Sequence, residues 1–151
     1  MSTFEELRSL GEKAVRSGQL EEARDCFDQA LAWAREHGEQ PQIDLGLCNR
    51  AAVVIESGRG DGEVPHLREI LVRNIDPFIC QLAAYNISRH YELTKNYKKS
   101  LFYARIALDR AEVLGRREWL ASTHNLIGNT LLAESHIDQA SREYEKALEL
   151  A

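Results

Sequence analysis

The stretch GQLEEARDCFDQALAWA, residues 18–34, decides the fold, because the chain says nearly the same thing twice more. Ala23, Phe27, Ala30 and Leu31 reappear in NYKKSLFYARIALDRA, from Asn96, as Ser100, Ala104, Ala107 and Leu108. They reappear again in HIDQASREYEKALELA, from His136, as Ala140, Tyr144, Ala147 and Leu148. The spacing is that of one face of a helix. Each copy follows another helical face. Leu7, Leu10, Gly11 and Ala14 precede the first, Ala84, Ile87, Ser88 and Tyr91 the second, and His124, Ile127, Gly128 and Leu131 the third. Ser17-Gly18 marks a tight turn inside the first pair. The unit is therefore a helix, a turn and a second helix. Small residues recur where the two helices approach.

Composition bounds what such a chain can be. Its 151 residues are 44% hydrophobic and 28% charged, with three prolines and nine glycines, which suits one helical domain with a real core. The formal net charge of -5 argues against a general phosphate-binding surface. Only the segment 76–115 is net positive, at +2, and Lys95, Lys98, Lys99 and Arg105 cluster there. That cluster could meet an acidic partner or nucleic acid, or be a solvated helix start. The opening MSTFEELRSL lacks the basic and apolar regions of a signal peptide, and no run reaches membrane-spanning length, so the expectation is a cytoplasmic protein without a membrane partner. Cys26, Cys48 and Cys80 are odd in number and widely spaced, and read as free thiols in helices.

The search for chemistry returns none. Five histidines are scattered without His-Glu-x-x-His or zinc spacing, so no metal or other cofactor is expected. No serine or cysteine sits in a nucleophile or phosphate-loop context, and no enzymatic activity is expected. Arg59-Gly60-Asp61 spells an adhesion tripeptide inside a turn-rich insertion and is read as chance.

The paired pattern resembles tetratricopeptide repeats, in which a Leu-Gly pair on the first helix meets an Ala, aromatic, Ala-Leu series on the second. Leu10-Gly11 and Ile127-Gly128 match the pair, while Ala23, Phe27, Ala30-Leu31 and Ala140, Tyr144, Ala147-Leu148 match the series. Phe27 and Tyr144 are then expected to be buried between the helices of their own pairs. Ile87-Ser88 with Ser100 and Ala104 is a looser match. The second repeat departs most: LCNRAAVVIESG from Leu47 places Arg50 where Leu is commoner, GRGDGEVP from Gly58 replaces the short turn, and Pro65 opens a shorter helix through Arg73. The intervals from Gly11 to Ala51, Ser88 and Gly128 are 40, 37 and 40 residues, like the long-helix subclass of bacterial regulators and kinesin light chains. The resemblance implies an all-α, right-handed superhelix of four helix pairs over residues 4–40, 41–76, 77–116 and 117–151.

It also implies a function. Such repeats bind another protein or an extended peptide on the face lined by their first helices, here Arg8, Glu12, Asn49, Tyr85, Asn86, Arg89, Asn125 and Asn129. An Asn side chain both donates and accepts, which suits recognition of a peptide backbone. Arg8 and Arg89 offer bonds to acidic groups. A chaperone-type carboxylate clamp is not implied, since Glu12 and Leu82 stand where Asn and Lys would be required. The alternatives are a sensor or regulatory segment of a larger bacterial signalling or transcriptional regulator and, below it, a helical nucleic-acid module. The last helix lacks a polar capping helix, so the expectation is a natural chain continuing past Ala151 or a homodimer through that helix.

Overall fold

A computed structural model describes residues 3–73 and 76–151. Residues 74 and 75, near the end of the expected second repeat (41–76), lie outside the described residues. Among the described residues there are eight α-helices and no strand: α1 Phe4–Arg16, α2 Leu20–His37, α3 Gln40–Glu56, α4 Val64–Arg73, α5 Pro77–Leu93, α6 Tyr97–Leu114, α7 Arg117–Ala133 and α8 Ile137–Leu150. A 3-10 turn, Gly60–Gly62, occupies the insertion before α4.

The helix ends follow from local chemistry. Thr3, Asp76 and Asn96 cap α1, α5 and α6, their side chains accepting from the backbone amides of Glu6, Phe78 and Lys99. Glu39 and Gln42 form a reciprocal capping box at the start of α3, with Pro41 in the first turn. After α1, α3, α5 and α7 the chain makes the same turn each time, with Gly18, Gly58, Lys95 and Ser135 at φ between 63 and 80°. The following residue reaches back into the helix: the amides of Gln19, Arg59, Asn96 and His136 donate to the carbonyls of Ala14, Val54, Tyr91 and Leu131 at 2.8–3.1 Å. These bonds satisfy carbonyls that a helix end leaves orphaned.

The chain forms two compact units, Met1–Leu67 and Arg68–Ala151. In the first, α1 packs on α2 and α2 on α3. Phe4, Leu7, Ala30 and Ala34 form one core cluster, with Trp33, Ile43 and Leu45 against it. Ala14, Ala23, Phe27 and Val53 form the other, with Leu20. Gly11 and Phe27 meet as the repeat register requires: a β-carbon added at Gly11 would lie 2.7 Å from Phe27 Cδ1. Arg50, at the unusual position of the second repeat, donates to Glu63 Oε2 at 3.2 Å, and its Nε lies 4.0 Å from Asp28 Oδ1. The insertion thus supplies the carboxylate that makes a cation tolerable where Leu is commoner.

In the second unit α5 packs on α6, α6 on α7 and α7 on α8. Ala104, Leu126, Ile127, Leu131 and Ala140 form its core, with Tyr85, Leu101, Leu108 and Tyr144 packed around it. Buried hydroxyls link three helices. Ser88 Oγ donates to the Ser100 carbonyl at 2.7 Å, Ser100 Oγ lies 3.2 Å from Thr130 Oγ1, and Thr130 donates to the Leu126 carbonyl at 3.0 Å. A serine at the glycine position is thereby satisfied without solvent.

Burial differs among the repeat positions at three places, and the expectation for Tyr144 is corrected. Leu10 is 52% exposed although its counterpart Ile127 is 1% exposed, because Ile127 is held between α6 and α8 whereas α1 packs on α2 and α3. Leu148 is 76% exposed, since α8 packs on α7 and its outer side is uncovered. Phe27 is buried, but Tyr144 is only partly so: its ring lies against Gly128 while its hydroxyl reaches the surface and donates to Asn129 Oδ1 at 2.6 Å.

Candidate peptide-binding face

Arg8 and Glu12 stand one turn apart on α1, and the guanidinium holds two carboxylates of its own helix, Glu12 at 2.6 Å and Glu5 at 3.2 Å. Arg89 on α5 is likewise bonded to Glu92. Neither arginine is the free cation its sequence position implied. Both pairs are partly buried, so an incoming carboxylate has to displace an existing carboxylate to reach either arginine.

Asn49, half-buried on α3, has a different environment. Its Nδ2 is buried and finds no acceptor among the described residues. Asn49 and Glu12 also line a single cavity of about 300 Å³ in the first unit, walled by Val15, Arg16, Leu20, Phe27, Ala52, Val53 and Glu56. Most of that wall is apolar, and Phe27 at its base is 3% exposed and fixed by Gly11. An apolar cavity with a few placed polar groups is the usual form of a recognition site. The sequence pattern points to Asn49 and Glu12 but not to Val15, Leu20 and Val53, which come from three helices and share no sequence signature.

In the second unit Tyr85, Asn86 and Arg89 lie on α5 and Asn125 and Asn129 on α7. The two helices touch, with Gln81 Nε2 donating to Thr123 Oγ1 at 3.5 Å and Phe78 stacked on Trp119 at 4.8 Å. Tyr85 packs against the core cluster of α7. Asn86 is buried, at 7% exposure, so its amide serves the interior of the unit as much as any surface. Asn125 and Asn129 are exposed, and Asn129 accepts from Tyr144. His124 Nδ1 lies 2.6 Å from Glu143 Oε2, tying α7 to α8 beside them.

The thiols are poorly placed for chemistry. Burial, then the nearby Glu22 and Asp25 carboxylates, push the Cys26 thiol up, and burial pushes Cys80 up despite Arg110. Both therefore favour the neutral, less nucleophilic form. Among the described residues no helix is long and apolar enough to cross a membrane, and no group of three or more His, Cys, Asp or Glu is placed to hold a metal ion.

The family model described as tetratricopeptide repeat matches residues 121–151. That segment contains most of α7 and all of α8, including the Gly128–Tyr144 contact. No curated protein matches the chain. The Gly11–Phe27 contact repeats in α1 and α2 what Gly128 and Tyr144 do in the matched segment. Residues 121–151 thus match a tetratricopeptide repeat, and the helix, turn and helix of that segment are similar in arrangement to those of α1 and α2.

Proposed function

We propose that this protein is a non-catalytic scaffold that binds an extended peptide segment of another protein, with the α1–α3 cavity of the first unit taking an apolar side chain of that segment. Repeats of this family serve generally as protein-interaction modules, which supports the class. The observation that carries the finer reading is Asn49. A buried amide donor without an acceptor costs about 1–3 kcal/mol, and a peptide carbonyl passing the cavity relieves that cost. Val15, Leu20 and Val53 provide the apolar contact, and Glu12 and Glu56 favour a basic neighbour at the rim. Of the residues expected on the binding face of the second unit, Asn125 and Asn129 are the exposed ones.

The test is selection of a random displayed peptide library on the full chain, followed by fluorescence anisotropy with the enriched sequences. Asn49→Ala is expected to weaken binding about tenfold, the loss of one well-made bond. Ala52→Leu, which fills the cavity from its wall, is expected to abolish selection of the apolar position. Enriched peptides that bind both variants as well as the wild type overturn the assignment.

A further inference from the structure

The outer side of α6 carries an unusual combination. Phe102 and Val113 are 61% and 64% exposed, and Val72 on α4 is 89% exposed. Phe102 and Ile106 of α6 and Leu71 of α4 wall a cavity of about 550 Å³, with Arg105, Asp109 and Arg110 around it. Beside the cavity is a braced aromatic group. The Phe102 ring meets Tyr103 edge-on at 5.2 Å, and Tyr103 stacks on Tyr91 at 5.9 Å. Arg68 donates to both hydroxyls, at 2.6 Å to Tyr91 and 3.2 Å to Tyr103, and Lys99 stands 5.3 Å over the Tyr91 ring. Rings held this way lose little freedom when a partner covers them.

The charges add a second argument. Arg8, Arg24, Arg50 and Arg89 each have a carboxylate of their own chain within 4.0 Å. Among the described residues Arg68, Lys99 and Arg105 have none; Arg68 is occupied by two neutral phenols instead. Unpaired cations therefore border exposed apolar side chains, and two of them, Lys99 and Arg105, lie in the one segment, 76–115, of an otherwise acidic chain that is net positive. We propose that this α4–α6 face is a second docking surface, which takes an acidic protein segment with a bulky apolar anchor. The anchor covers Phe102, Leu71 and Ile106 while its carboxylates meet Arg105, Lys99 and Arg68. A nucleic acid fits less well, because Leu71 and Ile106 of the cavity wall are aliphatic and suit an apolar side chain better than a polar base edge. The assignment is independent of the peptide reading for the α1–α3 cavity, which lies in the other unit.

The test uses the full chain and a fluorescein-labelled synthetic peptide of Asp and Glu residues flanking a Phe-Leu pair. Its counterparts are the same peptide with Lys at every acidic position, and single-stranded oligothymidine. The acidic peptide is expected to bind, to weaken as salt rises, and to shift the amide resonances of residues 98–113 selectively. Phe102→Ser and Arg105→Glu, both at exposed positions, are each expected to weaken it about tenfold, whereas Asn49→Ala leaves it unchanged. The chemical-shift map of the wild type locates the bound peptide without any variant, should one lose helicity, and shifts confined to other helices overturn the proposal. Equal binding of the basic peptide, or indifference to both variants, does the same. So does tighter oligothymidine binding that Phe102→Ser removes, which would give the face to nucleic acid. Concentration-dependent self-association removed by Phe102→Ser also overturns it, by giving the face to a second copy.

Discussion

Adding one methyl group at Gly11 tests the packing from which the fold is inferred. In a helix, Ala is favoured over Gly by about 1 kcal/mol, so Gly11→Ala would stabilise α1 if nothing stood in the way. Phe27 does. The new carbon lies 2.7 and 2.8 Å from Cδ1 and Cζ of its ring, far inside the ~3.5–4.0 Å of an ordinary carbon contact. The ring is 3% exposed and packed on Ala14, Ala23, Val53 and Leu20, so it can yield only toward the α1–α3 cavity that it lines. Ring or helices must shift, and overpacking of this kind costs about 1–3 kcal/mol, here toward the upper end. The net expectation is destabilisation by about 1–2 kcal/mol. Gly128→Ala is the internal control. Its carbon would sit 2.8–3.1 Å from the Tyr144 ring, but that ring is half-exposed and can tilt outward, giving up its surface bond to Asn129. There the two terms nearly cancel, to within about 0.5 kcal/mol. Urea unfolding followed by circular dichroism measures the difference, and hydrogen exchange of the α1 and α2 amides locates it. Phe27→Leu in the Gly11→Ala background should recover part of the loss. A Gly11→Ala protein as stable as the wild type would refute the contact and with it the repeat register.

Lys95 and Ser135 hold left-handed φ values of 63 and 65°, so Lys95→Gly and Ser135→Gly should each stabilise the chain by about 0.5–1 kcal/mol in thermal melts, whereas Gly18→Ala should destabilise it. Glu63→Ala leaves the Arg50 guanidinium without its closest carboxylate and should cost about 1–3 kcal/mol in urea unfolding, while Arg50→Leu with Glu63→Leu should return close to wild type. Cys26, its thiol pushed up by burial and by Glu22 and Asp25, should react with Ellman's reagent at pH 8 more slowly than free cysteine and faster as pH rises. Because folding raises the Cys26 and Cys80 values, their contribution to stability is complete below the unfolded thiol's value and is lost as pH rises through the folded one, so alkaline melts should show the loss and Cys26→Ser with Cys80→Ser should remove it.

Much of the architecture was legible in one dimension because its causes are local. Apolar residues at helical spacing gave the eight helices, and Ser17-Gly18 gave the first turn. Pro65 does lie in the first turn of α4, which ends at Arg73. The pairing of Gly11 with Phe27 and of Gly128 with Tyr144 was also legible, since each small residue and its aromatic sit 16 residues apart on two helices joined by a fixed turn. The candidate site was legible only as a set of positions on first helices. Whether each position offers a free polar group depends on neighbours the spacing does not name: Glu5 and Glu12 occupy Arg8, and Asn86 turns out to be buried.

By itself, then, the sequence determined that the chain is all helical, that its first and last helices come in pairs, and which small and large side chains meet within those two pairs. Each of these is set by residues within about two helical turns of each other or across one tight turn. The tertiary structure alone decided which side of a helix stays uncovered, leaving Leu10, Leu148 and Phe102 exposed where equally apolar positions are buried. It alone placed Glu63 against Arg50 across 13 residues, and Arg68 against Tyr91 and Tyr103 across 23 and 35. The reason is physical: a charged or aromatic side chain does not encode its partner, and the partner is chosen when stacked helices bring distant faces into contact and exclude water between them.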